Sequence, residues 1–180
     1  MNKDLKELLE GDERAFRNLV KNYQSRIFHH VMQILRNREE AEDVCQETFV
    51  KVYQSIHSFK GDSSLSTWIF QIAIHLSLDK IRRQKRRDQL RELLPWWMPS
   101  EEKSIDSSEL NPGILMENKE KTIALYGAID QLSPNQRVAF TLIKIDEISY
   151  AEASELMNLS IKAIESLVSR AKENIKKHLK

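Results

Sequence analysis

The sequence predicts an all-α fold: two small helical domains joined by an acidic flexible linker, the second domain ending in a helix-turn-helix. Three observations carry this expectation. Apolar residues recur at helical spacing in long runs, turn residues are scarce (4 Gly and 4 Pro in 180 residues), and serine-headed capping boxes punctuate the second half. Extended β architecture needs more turn residues than that. The single cysteine, Cys45, leaves no internal disulfide framework and no cysteine zinc cluster, so a reducing cytoplasm is the expected location. The stretch MNKDLKELLEGDE lacks the apolar core of a signal peptide, and no window is apolar enough to span a bilayer.

Taken in order, Phe16, Leu19, Val20, Tyr23, Ile27, Val31, Ile34 and Leu35 mark one amphipathic helix. Asn37 then offers an N-cap, with Glu40 as its capping-box partner. Ala41, Val44, Cys45, Phe49, Val52 and Ile56 carry a second helix, whose other face holds Glu39, Glu42, Asp43, Gln46 and Glu47. KGDSS breaks the pattern, and a third helix begins near Ser64–Ser66. It shows two apolar stripes, Ile69, Ile72, Ala73, Leu76 and Phe70, Ile74, Leu78, Ile81. A helix apolar on two sides is wedged between neighbours, so its first half is core. A basic block follows where the stripes end.

From Glu92 to about Lys119 the periodicity fades, acids dominate, and Pro95, Pro99 and Asn111–Gly113 interrupt any helix. This reads as a linker over residues 92–119, between domains at 1–91 and 120–180. The Trp96–Trp97 pair inside it is costly to leave in water and suits packing on a neighbouring domain or a partner. Beyond it, Ser133–Gln136 (SPNQ) and Ser149–Glu152 (SYAE) are capping boxes. A short helix over Tyr150–Met157, a turn with Asn158 in the left-handed conformation, and a longer helix capped by Ser160 form the helix-turn-helix.

Formal net charge is only +1, yet seven cations fall between Lys80 and Arg91 against the single acid Asp88. Helix-end cations suit the macrodipole, but that accounts for two or three of them. The excess points to an anionic polymer, and nucleic acid fits better than a membrane because no apolar face accompanies the cluster. The last helix offers Lys162, Glu165, Ser166, Ser169 and Arg170 outward near its start, with more cations behind. Small polar side chains in front and cations behind suit groove reading with phosphate anchoring. The acidic face of the second helix is either solvated surface or a contact for a basic partner. No metal-ligand spacing, phosphate loop, nucleophile elbow or acid/base pair is present. Neither a metal nor another cofactor is therefore expected, and no catalytic residue is proposed. Cys45 lies on an apolar face, as a packed residue would.

Two segments, NREEAEDVCQETFVKVYQSIHSFKGDSSLSTWIFQIAIHLSLDKIRRQKRR and AIDQLSPNQRVAFTLIKIDEISYAEASELMNLSIKAIESLVSRAKENIKKHL, resemble regions 2 and 4 of the extracytoplasmic-function (ECF) sigma factors of bacterial RNA polymerase. The resemblance implies a non-enzymatic promoter-specificity subunit that assists promoter melting. It assigns Asp43, Gln46 and Glu47 to the polymerase β′ clamp. It assigns Lys60, Ser63, Ser64, Thr67, Trp68, Gln71, His75, Lys80, Arg82 and Arg83 to the downstream (−10) promoter element. Ser160, Lys162, Glu165, Ser166, Ser169 and Arg170 go to the upstream (−35) element, with the outer surface of that domain meeting the β flap. Core polymerase and promoter DNA are thus the implied partners, with an anti-sigma factor in many members. His75 stands where members commonly carry Asn, and Glu165 and Leu167 where many carry Lys and Arg. The runner-up reading is a stand-alone helix-turn-helix regulator, followed by an enzyme acting on nucleic acid. The acidic helix face separates the first two, since a free-standing regulator has no need of it.

Overall fold

The computed structural model describes residues 3–92 and 119–179, and every regular element among them is helical. The linker segment 93–118, with Trp96 and Trp97, lies outside the described residues. In the N-terminal half, α1 (Lys3–Leu9), α2 (Glu13–Leu35) and α3 (Arg38–Ser55) lead through one 3-10 turn at Ile56–Ser58 into α4 (Leu65–Glu92). In the C-terminal half, α5 (Lys119–Gln131) and α6 (Pro134–Lys144) precede α7 (Tyr150–Met157) and α8 (Ile161–His178).

The helix starts follow from side-chain oxygens that accept the otherwise unpartnered first N–H groups. Asp12 accepts from the N–H groups of Arg14 and Ala15, which lowers its carboxyl pKa. Asn37 accepts from Glu40 N–H at 2.9 Å. Ser149 and Glu152 exchange the reciprocal bonds expected of them, at 3.2 and 3.1 Å. Asn158 takes the left-handed conformation (φ 52) that ends α7, and Ser160 accepts from Ala163 N–H to start α8. Helix α1 and helix α5 were not legible as separate helices. The first buries Leu8 against α2, and the second buries Ala128, Ile129 and Leu132 with Ala171 and Ile175 of α8.

Helices α2, α3 and α4 pack on one another, as do α6, α7 and α8. Ile27, Ile34, Ile69 and Ile74 are essentially inaccessible in the first group, and Val138, Leu142, Ile164 and Val168 in the second. Each such side chain contributes about 1.5–3 kcal/mol relative to exposure. Helix α4 is the wedge that its two stripes predict. One side meets α2 and α3, and another meets α6 and α7. Buried apolar side chains therefore run continuously from one half into the other.

Candidate nucleic-acid interface

On α3, Asp43, Gln46 and Glu47 are exposed on the side opposite the buried Ala41, Thr48 and Val52. They line a groove whose other wall is Leu76, Asp79, Lys80 and Arg83 of α4. Lys80 Nζ lies 3.4 Å from Asp43 Oδ2. Val50 also lines the groove and is 53% exposed, so apolar area adjoins the charges. An apolar strip beside charged side chains is what a protein partner can desolvate. Val50 shares the helical phase of Asp43, Gln46 and Glu47, so it belongs to their exposed face and not to the buried stripe.

The loop before α4 is built around Gly61 (φ +79) and Ser64. Ser64 Oγ accepts from Thr67 N–H at 3.0 Å, so Ser64 caps the helix and fixes Thr67 beside it. Phe59 and Trp68 meet with ring centroids 5.3 Å apart, pinning the loop to the helix start. Lys60 and Ser64 are exposed, whereas Ser63, Thr67 and Trp68 are half-buried.

The cationic block of α4 divides between faces. Leu76, Asp79, Lys80 and Arg83 recur at three- and four-residue steps and share the groove with α3. Thr67, Gln71, His75, Arg82 and Arg86 recur at steps of four and seven along another face. Lys80 and Arg83 therefore sit apart from Gln71, His75 and Arg82. Lys85 points toward the C-terminal half, where Nζ donates to the carbonyl of Leu132 at 2.5 Å. Burial, with the Arg137 charge second, pushes its ammonium below the ordinary value.

His75 is exposed although its neighbours Ile74 and Leu76 are buried. A packing role is thereby removed, and the imidazole faces outward. His75→Asn should leave thermal stability within about 0.5 kcal/mol, as for an ordinary surface change, and alter preference among downstream-element variants. Binding to singly substituted elements checks this; unaltered preference would remove His75 from the reading surface.

On α8, Lys162, Glu165, Ser166, Ser169 and Arg170 are all exposed and lie opposite the buried Ile164, Val168, Ala171 and Ile175. The five share one face, with Ser160 at its head spending its hydroxyl on the cap. Helix α7 packs against α8 in the manner of a helix-turn-helix. On the far side, Phe140, Ile175 and Leu179 floor a shallow groove rimmed by Lys144, Lys172 and Lys176.

One buried charge cluster was not foreseen. Arg137 of α6 donates from Nε to the carbonyl of Ile34 at 2.9 Å and from Nη2 to that of Leu35 at 3.0 Å. Its Nη1 lies 3.0 Å from Asp130, which also pairs with Arg36. Arg36 is left-handed (φ 54) at the end of α2 and sits over the Tyr126 ring at 4.8 Å. Burial pushes the Arg137 pKa down to about 10, partly opposed by Asp130. His30 Nδ1 lies 2.5 Å from Asp146 Oδ2, joining α2 to the turn after α6. Backbone carbonyls more than a hundred positions away leave no trace in a sequence pattern, so nothing marked Arg137 in advance.

The remaining chemistry is sparse. Cys45 is half-buried, and burial pushes its thiol above the ordinary value, as suits a packed side chain. Among the described residues no cluster of His, Cys, Asp or Glu is arranged to hold a metal ion, and no helix is long and apolar enough to cross a membrane.

Comparison with known proteins places these faces in context. Residues 19–87 match the family described as Sigma-70 region 2, and residues 122–175 match Sigma-70, region 4. The chain is 30% identical over 182 residues to the ECF RNA polymerase sigma factor SigW of Bacillus subtilis, covering 99% of this chain and 96% of the relative. It is 32% identical over 174 residues to the RNA polymerase sigma-H factor of Pseudomonas aeruginosa, covering 94% and 88%. Among solved structures, CnrH in complex with the cytosolic domain of CnrY superposes with a TM-score of 0.61 at 21% identity, covering 98% of this chain and 94% of that one. The sigma factor RpoE of Bartonella quintana, in complex with the anti-sigma factor NepR, gives 0.59 at 23% identity, covering 91% and 96%. These two support the helical fold.

Proposed function

The chain belongs to the ECF sigma factors of the sigma-70 superfamily, and from that premise we propose how its surfaces divide the work of promoter selection. It directs core RNA polymerase to specific promoters. The domain at 1–91 binds core polymerase through Asp43, Gln46 and Glu47 on the β′ clamp, and takes the downstream element on α4 and its preceding loop. The segment 92–119 connects it to the domain at 120–180, which reads the upstream element with α8 and meets the β flap. The protein works in the cytoplasm, without a catalytic step or cofactor of its own. An anti-sigma factor, the partner named in the RpoE complex and common in this family, is a further candidate partner.

The observation that carries this reading is the pairing, in one chain, of an exposed α3 face bearing Asp43, Gln46 and Glu47 with exposed cationic and polar faces on α4 and α8. A regulator that binds DNA alone has a use for the second and third but none for the first. Opening a duplex costs a few kcal/mol per flipped base, roughly, so a capped loop and a cationic helix beside the emerging strand have a physical use. Co-purification tests the assignment: the chain should elute with core polymerase as a stable complex. A chain that binds promoter fragments but never joins core polymerase would overturn it.

Glu165 gives the sharpest prediction for the upstream reader. A carboxylate facing a polyanion is repelled by phosphates, but it can accept a hydrogen bond from a cytosine amino group in the major groove. Glu165→Ala should relax discrimination at one or two upstream base pairs by about 1–3 kcal/mol, while nonspecific affinity holds or rises. Arg170→Ala should weaken all sequences alike. Binding to singly substituted upstream elements at fixed salt checks both, and unchanged preferences in Glu165→Ala would make the carboxylate a solvated residue only.

A further inference from the structure

The groove between α3 and α4 holds charges of both signs. Asp43 and Glu47 enter it from α3, Lys80 and Arg83 from α4, and the buried Leu76 lines it as well. The two acids of α3 are not in the same condition. Lys80 Nζ lies 3.4 Å from Asp43 Oδ2, whereas no ion pair holds Glu47 among the described residues. The Lys80 side chain is only 25% exposed, against 65% for Asp43. Its aliphatic stem is therefore largely covered while its ammonium reaches an open carboxylate. Asp79 pairs instead with Arg82, at 3.2 Å along the same helix, so Asp43 is the acid that Lys80 serves.

The family resemblance puts Lys80 on the downstream promoter strand. Its helical phase is that of Leu76 and Arg83, apart from Gln71, His75 and Arg82. On that side its neighbour is a carboxylate assigned to polymerase. A basic partner and Lys80 then compete for one charge. An ammonium already beside Asp43 cancels much of the field that would draw the partner's cation, and two cations at one carboxylate repel each other. An ion pair with one half-open member is weak enough to be exchanged.

Resting on the reading that Asp43 and Glu47 meet a basic surface of core polymerase, we propose that Lys80 is an internal counter-ion of the docking groove, exchanged for the partner's cation on binding. Glu47 receives the partner at once, and Asp43 is released to it as Lys80 withdraws. The pair partly neutralises the groove in the free chain. Only a partner that can replace the ammonium gains the full acidic face, so Lys80 lowers docking affinity and raises its selectivity. It is a positioning residue for Asp43 and not a phosphate contact.

The test measures affinity of the full-length chain for purified core polymerase at fixed low salt, with circular dichroism for each variant. Lys80→Gln should bind about three- to fivefold more tightly, a gain that narrows as salt screens it. Lys80→Arg keeps the charge and should bind as the wild type does. Asp43→Asn should weaken docking, and adding Lys80→Gln to it should bring no gain, because the carboxylate to be released is gone. Unchanged or weakened docking in Lys80→Gln, or an equal gain with and without the Asp43 carboxylate, would overturn the exchange. Should Lys80→Gln lose helix, Lys80→Met, which keeps an apolar stem, takes its place. Promoter binding by preformed holoenzyme supplies a second arm. There Lys80→Gln should keep the wild-type salt slope; a slope lowered by roughly 0.7, as for one lost single-strand phosphate contact, would put Lys80 on DNA and overturn the proposal. Failure of the parent reading looks different: wild type and Asp43→Asn would then bind core polymerase equally, or neither would bind.

Discussion

Reversing two charges on α3, Asp43→Arg with Glu47→Lys, should lower affinity for core polymerase at least a hundredfold, about 3 kcal/mol, with circular dichroism unchanged. Both side chains are exposed, and the buried residues of α3 (Ala41, Val44, Thr48, Phe49 and Val52) are left untouched. The fold loses one ion pair, Asp43 with Lys80 at 3.4 Å, in which the Asp43 side chain is 65% exposed. Such pairs are worth about 0–1 kcal/mol. At a protein interface the same reversal sets like charges against a basic partner, which costs several kcal/mol, roughly. The two effects differ enough to be read apart in one experiment. Undiminished core affinity would show that the groove is solvated surface.

The second large effect concerns Arg82, Arg83 and Arg86. Replacing all three by Ala should reduce the salt slope of promoter-complex formation by about 2, at roughly 0.7 per contact to a single strand. At ~0.1 M salt that is about a hundredfold in affinity. Sequence preference should survive, because phosphates carry no base identity. The measurement uses preformed holoenzyme, since Arg83 lines the α3 groove while Arg82 and Arg86 follow the face of His75. Restoring Arg83 alone partitions the loss between DNA and polymerase. A changed base preference with an unchanged slope would make these cations base readers.

The helical spacing of Phe16 to Leu35 and of Ala41 to Ile56 located α2 and α3 closely, because each helix buries one stripe and burial is what spacing records. The two stripes of α4 announced a wedge, and the capping boxes at Ser133 and Ser149 marked the starts of α6 and α7. Acidic and basic side chains on exposed faces were equally legible, since a charge at the wrong phase for the core has to point outward. What escaped depends on partners distant in the chain. The division of the α4 cations between two faces appears only when α3 lies beside one and the C-terminal half beside the other. Nothing in the sequence singles out Arg137, because the carbonyls of Ile34 and Leu35 that hold it are features of backbone, not of residue type.

The central claim, that this chain selects promoters for core polymerase, is tested most directly by transcription in vitro. Purified chain and core polymerase are mixed with genomic fragments from the source organism, and the transcript starts are mapped. The account predicts starts that require both components and share an upstream and a downstream motif at fixed spacing. Starts no different from those of core polymerase alone, with the chain bound to DNA but not to polymerase, would contradict it and leave a stand-alone helix-turn-helix regulator in its place.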